Sequence, residues 1–380
     1  MQSESEYIQT TQKIDMFEAE TVIRQILDNC NITDAQHAGL FSTCGLALRL
    51  RDLYKWEHRL NPWEEKDSSE ILDWIGKKEA LWEKLADAKY RHLSIQDNRY
   101  DPFDTSGINA VLAPHGLFYG AGYAFSLKPT FFLAEIENKA QRNGYTVYTL
   151  GRELARDLLT LPALSQGQSI LLRTDSARLF LWDQITYIKK SGRGAMQFAL
   201  EHCGLDIKKL QPTLRRQHLT EILAVQKDNY IYHEIGELSD TTFHRKIWRE
   251  LIATFPHSPV ELFARGLKDL LADTHPCGTL PHLISNRKIA ALGLYAAFLD
   301  GMLRELFPEL REAFNHFTKT YNWLIIEEAA AEGYRRAKSY AAEMIQIFQA
   351  AKKRQQLQRA KDEIEQRLLT KIKRKDTPTS

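Results

Sequence analysis

The residues that could carry chemistry are concentrated in the second half of the chain. In Tyr-His-Glu-Ile-Gly-Glu (232–237), a histidine and a glutamate stand four positions apart, at His233 and Glu237. Side chains four apart lie on one face of a helix, where imidazole and carboxylate can bind a divalent cation together. Asp269 and Asp273 repeat this spacing further along. These two pairs predict a helical histidine–carboxylate site for a divalent transition metal.

A longer helix would extend the polar face. If residues 226–248 form one helix, loosened at Gly236, then Asp240 and His244 follow Glu237 on the same side. Apolar residues normally take this spacing against a core, so a polar face is unusual. The metal ligands predicted from the two segments are His233, Glu237, Asp240, Asp269 and Asp273.

Neighbouring ionisable residues could act on a substrate. Glu234 and His275 are the candidate catalytic acid–base residues. Arg265 and Lys268 could pair with an anionic substrate or with the nearby aspartates. His115 is a third candidate for substrate binding, because it lies in a glycine-rich stretch of the kind where loops carry functional side chains.

Known catalytic signatures do not fit the chain completely. His-Glu-Ile-Gly-Glu has Glu237 where a metalloprotease carries its second zinc-binding histidine. The Glu-x-x-His pairs of ferritin-like di-iron bundles are also absent from this stretch. Cys277, close to His275 and His282 in sequence, is an alternative nucleophile, although such a pair must converge in space. A metal site of another pattern and a cysteine nucleophile both stay open.

The same residues also fit a purely structural role. Arg265 and Asp269, four positions apart, would form an ordinary ion pair on a solvated helix face. Function is therefore unknown from sequence, and two hypotheses follow. One is a metal-dependent enzyme using the central polar site. The other is a non-catalytic helical scaffold that binds a protein partner or nucleic acid.

Helical spacing dominates the N-terminal region, residues 14–93. Thr33 and Asp34 offer an N-cap for a helix near residues 35–60, which Asn61-Pro62 would end. A further helix is predicted near residues 67–93. Four tryptophans are interpreted as anchors for helix packing, with a functional aromatic surface as the alternative: Trp56, Trp63, Trp74 and Trp82.

The middle of the chain carries the β signal. Residues 94–129 are rich in glycine, proline and aromatic residues, which predicts an irregular connector. Within residues 130–205, two β-prone runs flank Asn143-Gly144, a strong signal for a hairpin turn. A third strand is predicted at residues 168–173 and a helix at residues 151–161. Together these features predict a small antiparallel sheet packed on helices.

The C-terminal part reads as helical to its end. Residues 212–348 form the predicted helical domain with the polar site, and residues 349–380 a basic helical tail. Ten Lys or Arg stand against three Asp or Glu over residues 349–375. Contact with nucleic acid or another anionic partner through residues 350–375 is one hypothesis, and a solvated helical tail is the other. The predicted class is α+β, predominantly helical, with a small antiparallel sheet in the middle.

Composition limits the class of protein and the cellular compartment that the sequence fits. The 380 residues are 43% hydrophobic and 26% charged with a formal charge of +2, ordinary values for a globular chain. Four scattered cysteines form no CxxC pair, which argues against a zinc ribbon or a disulfide framework. The acidic N-terminus is unlike a signal peptide, and no apolar run is long enough for a membrane span. We expect a cytoplasmic protein that does not enter a membrane.

Four strings resemble a known family. They are Arg-Asp-Leu-Tyr-Lys-Trp-Glu (51–57), Gly-Ala-Gly-Tyr-Ala-Phe-Ser-Leu-Lys-Pro-Thr-Phe-Phe-Leu-Ala-Glu (120–135), Gly-Arg-Glu-Leu-Ala-Arg-Asp-Leu-Leu (151–159) and Lys-Asp-Leu-Leu-Ala-Asp-Thr (268–274). They are similar to strings of an uncharacterised bacterial family, the Sfum-type proteins, a two-part domain of unknown function. The resemblance implies a bacterial cytoplasmic protein with two domains, and it transfers no activity or catalytic residue.

Overall fold

The computed structural model describes residues 16–124, 127–205 and 218–370. The chain divides into two compact units. The N-terminal unit comprises residues 1–140, 148–162 and 173–179, and the C-terminal unit comprises residues 141–147, 163–172 and 180–380. Among the described residues, no helix combines the length and apolar character needed to cross a bilayer.

Helices open the N-terminal unit and strands follow. The first three helices are α1 (Met16–His37), α2 (Thr43–Glu57) and α3 (Ser68–Leu85). A two-stranded antiparallel sheet, β1 (Leu93–Ile95) and β2 (Asn98–Tyr100), precedes α4 (Thr105–Leu112). The longer strands are β3 (Leu117–Tyr123), β4 (Pro129–Arg142), β5 (Tyr145–Arg156), β6 (Ala163–Gln166) and β7 (Ser169–Arg173).

These five strands form one sheet in the order β3-β4-β5-β7-β6. The turn between β4 and β5 has Asn143 and Gly144 at φ 47° and 83°, the left-handed pair that a type I′ hairpin turn requires. The predicted hairpin and the predicted third strand are therefore confirmed. In the β3–β4 ladder Gly120 faces Phe132, and a Cβ at Gly120 would lie 2.0 Å from the Phe132 ring. Close packing thus explains this glycine.

Three sequence predictions in this region were wrong. Residues 151–156 continue β5 instead of starting a helix, because their buried positions alternate along the strand. Residues 94–129 hold β1, β2, α4 and β3 rather than an irregular connector. Thr33 and Asp34 lie inside α1 and are buried, so they cap no helix; Ser42 caps α2 instead, accepting a hydrogen bond from the Gly45 amide.

The apolar face of α1 builds the core of the N-terminal unit. Val22, Ile26 and Cys30 pack in one cluster with Tyr119 and Phe131 of the sheet. A second cluster joins Leu50, Leu53, Trp82 and Leu158, with Trp56 and Trp74 packed against it. Three of the four tryptophans therefore serve helix packing, as predicted.

The C-terminal unit is mainly helical, as predicted. Its helices include α5 (Thr174–Thr186, shared with the other unit), α6 (Arg193–His202), α7 (Leu219–Ser239), α8 (Arg245–Thr254), α9 (Pro259–Thr274), α10 (Thr279–Ser285), α11 (Ile289–Phe298), α12 (Gly301–Leu306), α13 (Pro308–Thr320), α14 (Trp323–Lys353) and α15 (Leu357–Ile364). A π-helical turn, Glu365–Leu369, follows α15.

The basic C-terminal segment does not continue as one straight helix. After α14 ends, Gln355 has φ 57°, a left-handed conformation that breaks the helix. Ala360, Ile364 and Leu368 are buried, and Arg367 pairs with Glu343 of α14. The described part of this segment therefore packs on α14, and residues 371–380 lie outside the described residues.

A sealed ionic cluster lies inside the N-terminal unit. The Lys128 ammonium is 2.9 Å from Asp34 and 3.9 Å from Asp157, and all three side chains are no more than 2% exposed. The Leu158 amide donates to Asp34, and the Phe131 and Leu159 amides donate to Asp157. Each buried carboxylate thus has both a cation and backbone donors, as burial of charge requires.

The charges in this cluster support one another. Burial raises the pKa of Asp34 to about 6, with Lys128 opposing and Asp157 adding to the shift. Burial alone would lower the pKa of Lys128, yet Asp157 and Asp34 raise it above its usual value. Lys128 is therefore charged in the folded protein and neutralises the two carboxylates around it.

Replacing this lysine tests how much the cluster contributes. Lys128→Met leaves two buried aspartates without their cation, so we expect the free energy of unfolding to fall by about 3–5 kcal/mol. Denaturant unfolding of the full chain measures the change. Lys89→Met, at an exposed lysine of the same unit, should change stability by less than about 0.5 kcal/mol. Equal effects of both substitutions would contradict a stabilising role.

Candidate functional site

Helix α7 presents different faces to two environments. Ile231, Tyr232 and Ile235 are buried against residues of β5, β6 and β7, in a cluster that includes Val147 and Ile170. This packing fixes the helix on the sheet. It leaves the positions of His233 and Glu237, four residues apart, to face the neighbouring helix α9.

A glycine allows α7 and α9 to approach closely. A Cβ at Gly236 would lie 2.0 Å from the Ala272 carbonyl oxygen of α9, a distance that real side chains do not reach. Helix α7 runs through this glycine without interruption, so the predicted loosening at Gly236 was wrong. The glycine instead brings the backbones together.

Helix α9 begins at a proline that follows a capping serine. Pro259 is its first residue, and the Ser258 hydroxyl accepts a hydrogen bond from the Glu261 amide. Phe263, Leu267 and Leu270 are fully buried and hold the helix in the core. The aspartates at positions 269 and 273 then point along the side that α7 approaches.

A chain of hydrogen bonds fixes the His233 ring. Its Nδ1 lies 2.9 Å from Asp273 Oδ1, and because a carboxylate only accepts, Nδ1 carries the proton that is donated. Asp273 is itself 5% exposed and accepts from the Thr279 hydroxyl at 2.7 Å and from the Tyr295 hydroxyl at 2.9 Å. Three donors thus hold one buried carboxylate behind the imidazole.

The other side of the ring faces a group of donors. His233 Nε2 lies 3.9 Å from Asp269 Oδ1. His233, Glu237 and Asp269 each offer one ligand atom, and these three atoms lie within 4.8 Å of one another. A single cation could therefore contact all three. The side chain of Asp269 is 44% exposed, so solvent reaches this group.

Lys268 is the cation closest to this group. Its ammonium is in contact with Glu237 Oε1, and it lies 4.8 Å from the centre of the Trp248 ring. The Glu237 and Lys268 side chains are 27% and 24% exposed. The pair is therefore partly solvated and can open more easily than the buried pair at Asp273.

The pKa values reflect this crowding of charge. Burial alone would lower the pKa of His233, but Asp273 and, more weakly, Asp269 raise it well above its usual value. Burial would raise the pKa of Glu237, but Lys268 and His233 lower it below its usual value. In the absence of a bound cation, protonated His233 and ionised Glu237 form an attractive pair.

Two further carboxyl groups have raised pKa values. Partial desolvation beside α7 raises the pKa of Asp269 to about 6, with His233 opposing and Glu237 adding to the shift. Burial together with the charge of Glu237 raises the pKa of Glu234 to about 7, and His233 and Lys268 oppose this shift. Glu234 can therefore exchange a proton near neutral pH, as an acid–base group must.

Comparison with known proteins identifies the family of the chain. Residues 21–173 match the N-terminal domain and residues 178–368 the C-terminal domain of the Family of unknown function (DUF6866). The chain belongs to this family. No curated protein and no solved structure matches the chain. The predicted two-domain family of unknown function is confirmed, while a bacterial origin stays a prediction.

All the residues of the candidate site lie in the C-terminal domain of the DUF6866 family. Its helices bring His233, Glu237, Asp269 and Asp273 together. They do not bring Asp240 into the group, because α7 ends at Ser239 and Asp240 is extended. Its carboxylate accepts from the Tyr334 hydroxyl and the Thr242 amide. His244 caps the next helix, so the predicted single helix over residues 226–248 was wrong.

The remaining candidates in this domain have other contacts. Arg265 pairs with Glu261, and its guanidinium lies 5.8 Å from the Trp248 ring. His275 Nδ1 accepts from the Cys277 amide, and burial lowers the pKa of His275. Catalytic and substrate-binding roles for these residues stay predictions. His115 lies in the N-terminal unit, where its Nδ1 is buried without a hydrogen-bond partner among the described residues.

Sequence reasoning missed two residues that hold Asp273. Tyr295 stands in the apolar run Ala290–Leu299, and a tyrosine there needs a partner for its hydroxyl when buried. That need was the available signal. Thr279 carries no comparable signal, since a threonine after His-Pro-Cys-Gly is common in turns that begin a helix. Only the packing of α10 and α11 near α9 brings the two hydroxyls to Asp273.

Removing the close approach of the two helices tests their role. Gly236→Ala places a methyl group against the Ala272 carbonyl, so we expect a loss of about 1–3 kcal/mol in the free energy of unfolding. The control is Gly194→Ala in α6, where a Cβ meets nothing within 4 Å. It should be neutral or gain up to about 1 kcal/mol. Urea unfolding followed by circular dichroism measures both, and matching effects would show that the contact is dispensable.

Proposed function

We propose that the protein binds a divalent transition metal through His233, Glu237 and Asp269 and uses it in catalysis. The observation that carries this proposal is the hydrogen bond from His233 Nδ1 to Asp273. It leaves Nε2 as the ring nitrogen that faces Asp269. A histidine held by a carboxylate on one nitrogen and free to ligate with the other is the usual arrangement behind protein-bound metals.

The donor set fits a catalytic rather than a structural site. Three protein ligands leave coordination positions for water or substrate, whereas structural zinc sites are closed by four. Because the Asp269 side chain is 44% exposed, water or substrate would have access to these coordination positions. A metal held there would polarise a substrate oxygen or lower the pKa of a bound water. Glu234 is the proposed group that takes up or returns a proton beside it.

Asp273 has a positioning role in this proposal. It is buried, and its two oxygens are occupied by His233, Thr279 and Tyr295. It therefore orients the imidazole rather than contacting the metal. This assignment differs from the sequence prediction, which counted Asp273 among the ligands.

A closed network of ion pairs is the competing interpretation. Protonated His233 with Asp273 and Asp269, and Lys268 with Glu237, would give every one of these carboxylates a partner within the protein. Apart from the buried Asp273, these side chains are partly exposed, which favours the metal site because exposed ion pairs contribute little to stability.

Metal titration tests the proposal directly. Protein freed of metal with a chelator is titrated with zinc, manganese or ferrous ions in a calorimeter. We expect about one equivalent to bind, His233→Ala to abolish binding, and Asp273→Asn to weaken it by about 10–100-fold. His316→Ala, an exposed histidine of α13, is the matched control. Binding of less than about 0.1 equivalents, or equal binding by His233→Ala, rejects the site.

Lys268 separates the two interpretations. At a metal site this lysine competes for Glu237, so Lys268→Gln should strengthen metal affinity by about fivefold. In a purely structural network the same substitution only lowers thermal stability, and added metal restores none of it. Thermal unfolding with and without zinc measures the difference. Lys319→Gln, at an exposed lysine of α13, should leave both affinity and stability unchanged.

A cytoplasmic location is part of the proposal. It is supported by the four cysteines, all of which are free: Cys30, Cys44, Cys203 and Cys277. Binding of nucleic acid through residues 350–375 is less well supported. Lys352 and Arg367 already pair with acidic side chains of the same unit, so part of the basic charge is neutralised.

A further inference from the structure

A second candidate site lies in the N-terminal unit and shares no residue with the metal site. A cavity of about 790 Å³ is lined by residues of α1, α2, β5 and α5 and by the segment after α2. That volume is typical of sites for small molecules. The cavity contains several charged side chains, and their pairing decides what ligand it can take.

The cations of the cavity are incompletely neutralised. Arg59, Arg152 and Arg178 line it, and among the described residues none of the three forms an ion pair with a carboxylate. By contrast, Lys55 pairs with Glu65, and Glu57 pairs with Lys78. Asp175 also lines the cavity and interacts with Arg178, so Arg59 and Arg152 are the cations most available to an anion. An anion is favoured there because the guanidinium matches oxyanions in shape and charge.

Two buried polar atoms in the cavity lining lack hydrogen bonds. Arg178 Nε is buried and has no partner. Glu153 is 3% exposed and lines the same cavity. Its Oε1 accepts from Arg173 and Ser176, but its Oε2 accepts no hydrogen bond and lies 3.5 Å from Arg156. Glu153 Oε2 is compensated by the charge of Arg156, whereas the Arg178 donor is costly to leave unsatisfied and would gain from an acceptor oxygen on a ligand.

Part of the cavity lining is apolar. Trp56 lines the cavity, and its indole nitrogen donates to the Glu153 carbonyl oxygen at 3.0 Å. Leu60, Leu154 and Leu179 lie on the same wall. A held indole ring beside aliphatic side chains is suited to the flat apolar part of a ligand.

We propose that this cavity binds a small organic anion. The ligand class is a phosphate ester or carboxylate joined to an aromatic or other apolar group. Arg152 and Arg178 bind its oxyanion, and Trp56 packs against its apolar part. This site is independent of the metal site, so either proposal can fail alone.

Calorimetric titration of the full chain with phenyl phosphate and with phenylacetate tests the proposal. Binding of either anion, but not of uncharged benzyl alcohol, is expected. Arg152→Gln and Arg178→Gln should each weaken affinity by about tenfold, since each removes a charge-assisted hydrogen bond. A preference for phenyl phosphate assigns a phosphate ester, and a preference for phenylacetate assigns a carboxylate.

The controls separate binding at the cavity from general effects of charge. Arg99→Gln removes an exposed arginine of β2 in the same unit and should leave affinity unchanged. Arg152 is exposed, so its substitution is compatible with folding even if Arg178→Gln lowers stability. Absence of binding by either anion, or equal losses in Arg99→Gln and Arg152→Gln, overturns the proposal.

Discussion

The candidate site depends on the distance between helices α7 and α9. Gly236 permits contact with the Ala272 carbonyl, and no other residue type could occupy that position without moving a helix. At this separation a histidine of one helix reaches an aspartate of the other at 2.9 Å. A shift of about one ångström would break that hydrogen bond and release the ring, because hydrogen bonds weaken steeply with distance. Backbone packing therefore determines the chemistry that the side chains can perform.

The two ionic clusters use similar residues in opposite ways. In the N-terminal unit, Lys128 and Asp34 are no more than 2% exposed and are fully engaged with each other and with backbone amides. In the C-terminal unit, His233 and Asp269 remain 27% and 44% exposed. Burial makes the first cluster a structural element, whereas exposure leaves the second able to exchange partners. The degree of burial, not the residue type, distinguishes the closed cluster from the accessible one.

Sequence patterns predicted what depends on local spacing. The Asn143-Gly144 turn and the i, i+4 pairs of the candidate site follow from rules that span a few residues. What depends on distant segments was out of reach. Asp34 looked like a helix cap, because nothing local indicates that Lys128 would neutralise it inside the protein. The spacing predicted Asp273 as a metal ligand. Its oxygens accept hydrogen bonds from Thr279 and Tyr295 only after three helices have packed, so no local pattern indicates these bonds.

The buried lysine has a consequence for how the chain folds. Lys128 and Asp34 are 94 positions apart, and the Leu158 amide that Asp34 accepts from is 124 positions away from it. Such remote contacts slow folding, since large loops must close before they form. Until α1 docks on the sheet, the Lys128 ammonium lacks Asp34 as a partner, so its burial would be unfavourable and we expect it to stay hydrated. Expulsion of that water is therefore expected as a late step, and a polypeptide that begins after α1 would lack the carboxylate needed to complete it.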